Sequence, residues 1–147
     1  MTKIDTFDIE TTHRIRDTCF CLHAQRAARA LARRFDEALR PVGLTNGQFS
    51  LLTALNRPAP WSIGPLADLL AMDRTTLTAK LKPLLRRGLV ELDHDPADRR
   101  NRRISLTDDG FELLKTALPL WQRTHEEVDA LVGASADRLR ADLKALS

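Results

Sequence analysis

The sequence predicts a mainly α-helical chain with a small β-hairpin wing, arranged as a winged helix-turn-helix between N- and C-terminal dimerisation helices. Three observations predict this. Apolar residues recur at helical spacing through about residues 11–39. Two short apolar helical patterns meet across Ala71-Met72. Two alternating runs, Leu89–Asp93 and Arg103–Leu106, flank a polar turn.

In the first pattern, Ile15, Cys19, Leu22, Leu31, Phe35 and Leu39 lie near one stripe, and Pro41 and Gly43 end the helix. At 1.5 Å per residue such a helix is roughly 40 Å long. That is too long for a small lobe to cover, so a second subunit is the simplest partner. Thr45 with Gln48 three residues later fits a capping box, opening a short helix that Asn56-Arg-Pro-Ala-Pro closes. Ser62 is placed to cap the next helix, with Pro65 in its first turn, where a missing N–H costs little. Asp73 caps a further helix to Arg87, and Gly88 takes the left-handed position after it. Arg86 and Arg87 suit that helix's negative end. Thr107 caps a helix to about Leu131, with a kink expected at Pro119. Ser135 caps the last helix. Residues 1–40 and 108–147 therefore read as dimerisation helices, and 41–107 as a DNA-binding lobe.

Charge is informative through its distribution. The net charge of the 147 residues is only +3. Residues 13–40 carry seven Arg against three acids, and residues 73–107 carry nine Lys/Arg against five acids. Residues 108–147 reverse this, with eight acids against five bases. Hydrophobic residues make up 43% of the chain, which excludes a disordered polymer. No apolar run reaches the roughly 20 residues of a membrane helix. The first residues lack the basic start and apolar middle of a signal peptide, so a cytoplasmic location without membrane contact is expected. Cys19 and Cys21 are the only cysteines and cannot staple distant segments together.

The helix opened by Asp73 has two faces. Leu77, Leu81, Leu84 and Leu85 fall on one side. Thr75, Thr78, Ala79, Lys82 and Arg86 fall on the other, with Arg74 and Thr76 near its start. Small residues let a helix enter the major groove, hydroxyls reach phosphates, and Arg reads guanine bidentately. A solvated face is the plainer alternative, but solvated faces mix Glu with Lys, and residues 73–90 contain no Glu. Pro83 argues against a straight helix, because it leaves the Ala79 carbonyl unpaired. In the hairpin tip, Asp98-Arg-Arg-Asn-Arg-Arg gathers four guanidiniums in six residues, suited to a minor groove. Asp98 makes sense there as the partner of a wing arginine. A loop made basic only for solubility is the competing reading. The candidate double-stranded DNA contacts are Ser62, Arg74, Thr75, Thr76, Thr78, Lys82, Asp98, Arg99, Arg100 and Arg102.

Four runs resemble the MarR (multiple antibiotic resistance regulator) family of bacterial transcription factors: Leu39–Phe49, Leu66–Thr78, Leu84–Glu91 and Asp95–Gly110. The last, Asp-Pro-Ala-Asp-Arg-Arg-Asn-Arg-Arg-Ile-Ser-Leu-Thr-Asp-Asp-Gly, matches the family's wing signature. The resemblance covers nearly the whole chain in order. It implies a homodimer joined by the terminal helices, a pseudo-palindromic site, often repression of nearby genes, and an Asp98 that orients Arg100. It also implies a small aromatic or other organic effector, bound in a cleft between the dimer helices and the DNA-binding lobe.

Some relatives sense oxidants with a cysteine near the start of the first helix, and gap-free alignment puts Cys21 there, with Cys19 on a different face. Those sensors support the thiolate with tyrosines, and this chain has no Tyr. Phe35 and Asn46 stand at the corresponding positions, and His23 or Arg26 could substitute. Structural cysteines are therefore favoured over a redox switch. Among His13, His23, His94 and His125, only His23 has a ligand-like spacing, an i,i+4 pair with Cys19 that could hold a metal weakly. Ordinary helix residues are the favoured reading, and no metal or cofactor is expected. Trp61 and Trp121 fit either an aromatic cleft or packing volume. No nucleophile elbow, phosphate loop or HExxH motif supports an enzyme. The rival from another class is a winged-helix protein-interaction module, which would not need the basic faces found here.

Overall fold

The computed structural model describes residues 7–147. The chain divides into two compact units, Met1–Arg34 and Phe35–Ser147. The part of the expected N-terminal dimerisation segment at residues 1–6 lies outside the described residues.

The first unit holds α1 (Ile9–Thr18) and most of α2 (Phe20–Leu39). The single helix expected over 11–39 is thus two helices, interrupted at Cys19, whose ψ of 109° is extended. The reason is local. The Thr18 hydroxyl donates to the Arg14 carbonyl at 2.7 Å, and the Cys19 N–H still reaches Ile15 at 2.9 Å, which completes α1. The Cys19 sulfur then accepts from the Leu22 N–H at 3.5 Å, as an N-cap side chain does. Asp8 caps α1 through the Thr11 N–H at 2.8 Å. That backbone bond, more than any charge, holds the Asp8 carboxyl below its ordinary value.

The second unit continues from Phe35. A 3-10 turn at Arg40–Val42 ends on Gly43 at φ +68°, and α3 (Asn46–Ala54) follows. Both halves of the Thr45–Gln48 capping box form. Next come β1 (Trp61–Ser62), α4 (Ile63–Leu69), α5 (Arg74–Arg86), β2 (Val90–His94), β3 (Arg102–Leu106), α6 (Asp108–Val132) and α7 (Ala136–Leu146). The expected hairpin is present, with Val90 opposite Leu106 and His94 opposite Arg102. It is also part of a larger sheet. β1 pairs antiparallel with β3, Trp61 opposite Ile104, giving the order β1-β3-β2. A two-residue strand carries no readable alternation, so periodicity could not announce it. Ser62 and Ser135 take N-cap positions, but neither side chain bonds its helix; the Ser135 hydroxyl donates backwards to Val132.

The core gathers Leu39, Leu51, Leu52, Leu66, Leu77, Leu84 and Ile104, all fully buried. The leucine face read on α5 is therefore its packed face. α6 is anchored at its start: the Thr107 hydroxyl donates to the Gly88 carbonyl at 2.7 Å and accepts from the Gly110 N–H at 3.1 Å. Gly110 sits so close to β2 that a Cβ there would run into the Leu89 carbonyl oxygen. α6 continues through Pro119 as one 25-residue element, and Ala117 is buried in the core. No helix among the described residues is long and apolar enough to cross a membrane.

Candidate nucleic-acid interface

The recognition unit is α4, a tight turn, and α5. The turn needs a left-handed residue, and Ala71 supplies it at φ +49°. The Met72 N–H reaches back to Ala67 at 2.9 Å, closing α4. Asp73 then opens α5. One carboxylate oxygen accepts from the Thr76 N–H at 2.8 Å and the other from the Thr76 hydroxyl at 2.7 Å. The hydroxyl bond, followed by the backbone bond, holds the Asp73 carboxyl below its ordinary value. A depressed carboxyl keeps its stabilising charge above the unfolded value and loses it only as pH falls through the lower folded value. The cap is therefore intact throughout the neutral range.

Five of the expected contact residues are brought into one groove. Ser62, Arg74 and Thr78 line it from the α4 and α5 side, and Arg100 and Arg102 from the wing, enclosing about 490 Å³ together with Ile63, Gly64, Pro65 and Asn101. No acidic side chain lines it. The Thr78 hydroxyl donates to the Arg74 carbonyl at 2.8 Å, so its oxygen is left to accept and its methyl to make apolar contact. Thr75 and Thr76 lie elsewhere, in a second cleft with Thr45, Gly47, Gln48, Lys80 and Pro83. The Thr76 hydroxyl donates to the cap, so toward DNA, like that of Thr78, it is left only to accept. Lys82, Asp98 and Arg99 are exposed but line neither cleft.

The wing turn is organised by carboxylates acting on backbone. Asp95 accepts from the Ala97 N–H at 2.9 Å and lies 3.8 Å from Arg103 Nη1. Asp98 accepts from the Arg100 N–H at 3.0 Å. The expected Asp98–guanidinium pair is thus replaced by a bond to the backbone of Arg100, because a carboxylate two residues ahead of an N–H closes an Asx turn. Among the described residues, no carboxylate forms an ion pair with Arg99, Arg100 or Arg102. Their charges stay available for a polyanion. His94 Nδ1 lies 3.1 Å from the Arg99 carbonyl and ties the tip to β2.

Sequence reasoning missed Gly64, Asn101 and Lys80. Asn101 lay inside the arginine-rich run, whose composition was the signal for it. Gly64 carried no signal, because its role depends on what packs over it.

The other singled-out residues are placed as follows. Cys19 is half-buried at the helix break and Cys21 is exposed, with the Gln25 amide 3.3 Å from its sulfur. Trp61 packs under the Arg57 guanidinium at 3.8 Å. Trp121 stacks on His125 at 4.6 Å and on Phe49 at 6.1 Å. Among the described residues, no group of His, Cys, Asp or Glu is gathered to hold a metal ion.

Comparison with known proteins follows the same line. Residues 44–101 match the model of the MarR family. The transcriptional regulator HosA of Escherichia coli O111:H- is 33% identical over 85 residues, 57% of this chain and 62% of that protein. The HTH-type transcriptional repressor NicR of Pseudomonas putida is 36% identical over 83 residues, 56% of this chain and 52% of that protein. Both matches span less than two thirds of the relative's length. The match to a solved structure is longer. The M. tuberculosis transcriptional regulator MosR, in complex with DNA, shares 40% identity at a TM-score of 0.80, covering 87% of this chain and 92% of that one. All three are named as transcriptional regulators rather than enzymes. With that identity extending over nearly all of MosR and the winged-helix fold shared, the chain belongs to the MarR family of DNA-binding transcriptional regulators.

Proposed function

We propose that this protein is a homodimeric repressor that binds a pseudo-palindromic operator in double-stranded DNA and is released by a small organic effector. One observation carries the DNA-binding reading: α4, α5 and the wing converge Ser62, Arg74, Thr78, Arg100 and Arg102 on one groove without an acidic side chain. A positive groove of this kind meets the charge density of a phosphate backbone. The repressor name of NicR supports the direction of regulation. The test is fluorescence anisotropy with duplexes from upstream of the protein's own gene. The expected result is tight, salt-dependent binding to one segment over an unrelated duplex. Binding to neither duplex would favour the protein-interaction alternative.

For the effector we propose a cleft of about 390 Å³ between α3 and α6. Phe49, Phe111, Leu114, Leu118 and Trp121 make it apolar, and Lys115 stands at its edge, held to Glu112 at 3.0 Å. That chemistry suits an aromatic acid, with its ring among the apolar side chains and its carboxylate competing for Lys115. Linkage then requires operator DNA to weaken the ligand by the factor by which the ligand weakens DNA.

A second switch is favoured by one specific observation: the Cys19 sulfur caps α2 at the helix break. A hydroperoxide, reduced to its alcohol, would oxidise that thiol to a sulfenic acid and so alter the cap. A Cys19→Ser/Cys21→Ser double variant separates the two. Loss of response to every releasing stimulus would assign sensing to the cysteines, and retained response to a small molecule would assign it to the cleft.

A further inference from the structure

Gly64 lies in the first turn of α4, in helical backbone that does not require glycine. What requires the missing side chain is Arg74, ten residues later. A Cβ on Gly64 would lie 2.8 Å from Arg74 Nη2, 3.4 Å from Cζ and 3.6 Å from Nε. The guanidinium therefore rests along the bare backbone of α4. It does so in the groove it shares with Arg100 and Arg102. Three cations lining one groove repel each other, and a long side chain without support would move into solvent. The close seat at Gly64 opposes that movement.

We propose that Gly64 is a positioning residue, setting the direction in which Arg74 meets a base. The proposal rests on the DNA-binding reading above. A bidentate guanine contact needs its guanidinium held to within about 0.5 Å and 10–20°. The atom nearest the added Cβ is the far end of a flexible side chain, so a methyl group displaces Arg74 rather than the fold. Nothing in Arg74's own sequence surroundings reveals this dependence.

One other cause must be separated. Pro65 follows Gly64, and a proline crowds the Cβ of the residue before it in helical backbone. The test is therefore made in a Pro65→Ala background, where that crowding is absent. Base preference is measured across all single substitutions of the operator, with thermal melting alongside, for Pro65→Ala alone and with Gly64→Ala, Arg74→Ala or both. The expected result is that Gly64→Ala does not lower the melting temperature. It should reduce discrimination at the same base pair that Arg74→Ala affects, by several-fold within the roughly 5- to 150-fold worth of a bidentate pair. Adding Gly64→Ala to Arg74→Ala should then do nothing more. Full discrimination in the Gly64→Ala protein overturns the proposal. So does a loss that persists without Arg74, or an Arg74→Ala profile identical to its parent. Failure of the DNA-binding reading is distinct: the natural protein itself would then show no preference among duplexes.

Discussion

Side chains on the groove divide by what their neighbours leave them free to do. Arg100 keeps its whole guanidinium: the nearby Asp98 bonds its backbone N–H, and among the described residues no carboxylate pairs with its side chain. Arg100→Ala should weaken binding to every sequence alike and lower the salt slope by about one. An unchanged affinity across a salt titration would remove the wing from the interface. Thr78 is different: its proton is used on the Arg74 carbonyl, so it can only accept or make methyl contact. Thr78→Ala should change operator preference, by about 1–3 kcal/mol at the affected base pair, with the salt slope intact. A uniform loss over all duplexes would instead make Thr78 a backbone contact. Asp98 also marks a limit of sequence reading. Charge alone pointed to a guanidinium, and only the local turn shows that an N–H two residues away is the nearer donor.

Among the elements, legibility followed the strength of the local chemistry. The Thr45–Gln48 box, the Asp73 cap, the hairpin and the left-handed Gly88 all follow from patterns spanning a few residues, and all are present. The break at Cys19 was hidden, because the apolar stripe continues in period across it and a cysteine is not a usual cap. The turn between α4 and α5 was legible in place but not in cost. Ala71 holds φ +49°, a conformation roughly 1–2 kcal/mol uphill for a residue with a Cβ. Ala71→Gly should therefore raise stability by about 0.5–1 kcal/mol once glycine's larger backbone entropy is counted. The check is chemical denaturation, and a lower midpoint would show that the Ala71 methyl contributes packing that outweighs the strain. Gly110 is the opposite case, read in sequence only as part of the wing run. Its Cβ would meet the Leu89 carbonyl, an atom that cannot move without disturbing β2. Gly110→Ala should cost about 1–3 kcal/mol in the same measurement. An unchanged midpoint would mean that α6 can lift from β2 freely.

At the scale of the whole molecule, what remains is surface that a lone chain leaves wet. In the first unit Phe7 is 78% exposed and Phe20 80% exposed. In the second, Leu131 is 69% exposed and Leu146 70% exposed. α7 has no buried residue at all, although Leu139, Leu143 and Leu146 recur at helical spacing along it. Apolar side chains ordered in this way gain nothing from water, and a second copy of the chain offers a cover that is always present. Deleting residues 135–147 should therefore leave a chain that is monomeric or insoluble, while α4, α5 and the wing keep their own core. Replacing Leu139 and Leu143 by Glu should have the same effect without shortening the chain. If the operator has the two half-sites proposed above, either change should also weaken operator binding far more than binding to a single half-site. Sedimentation decides it. A well-folded monomer of the intact protein at micromolar concentration would mean that α7's apolar stripe has some other cover.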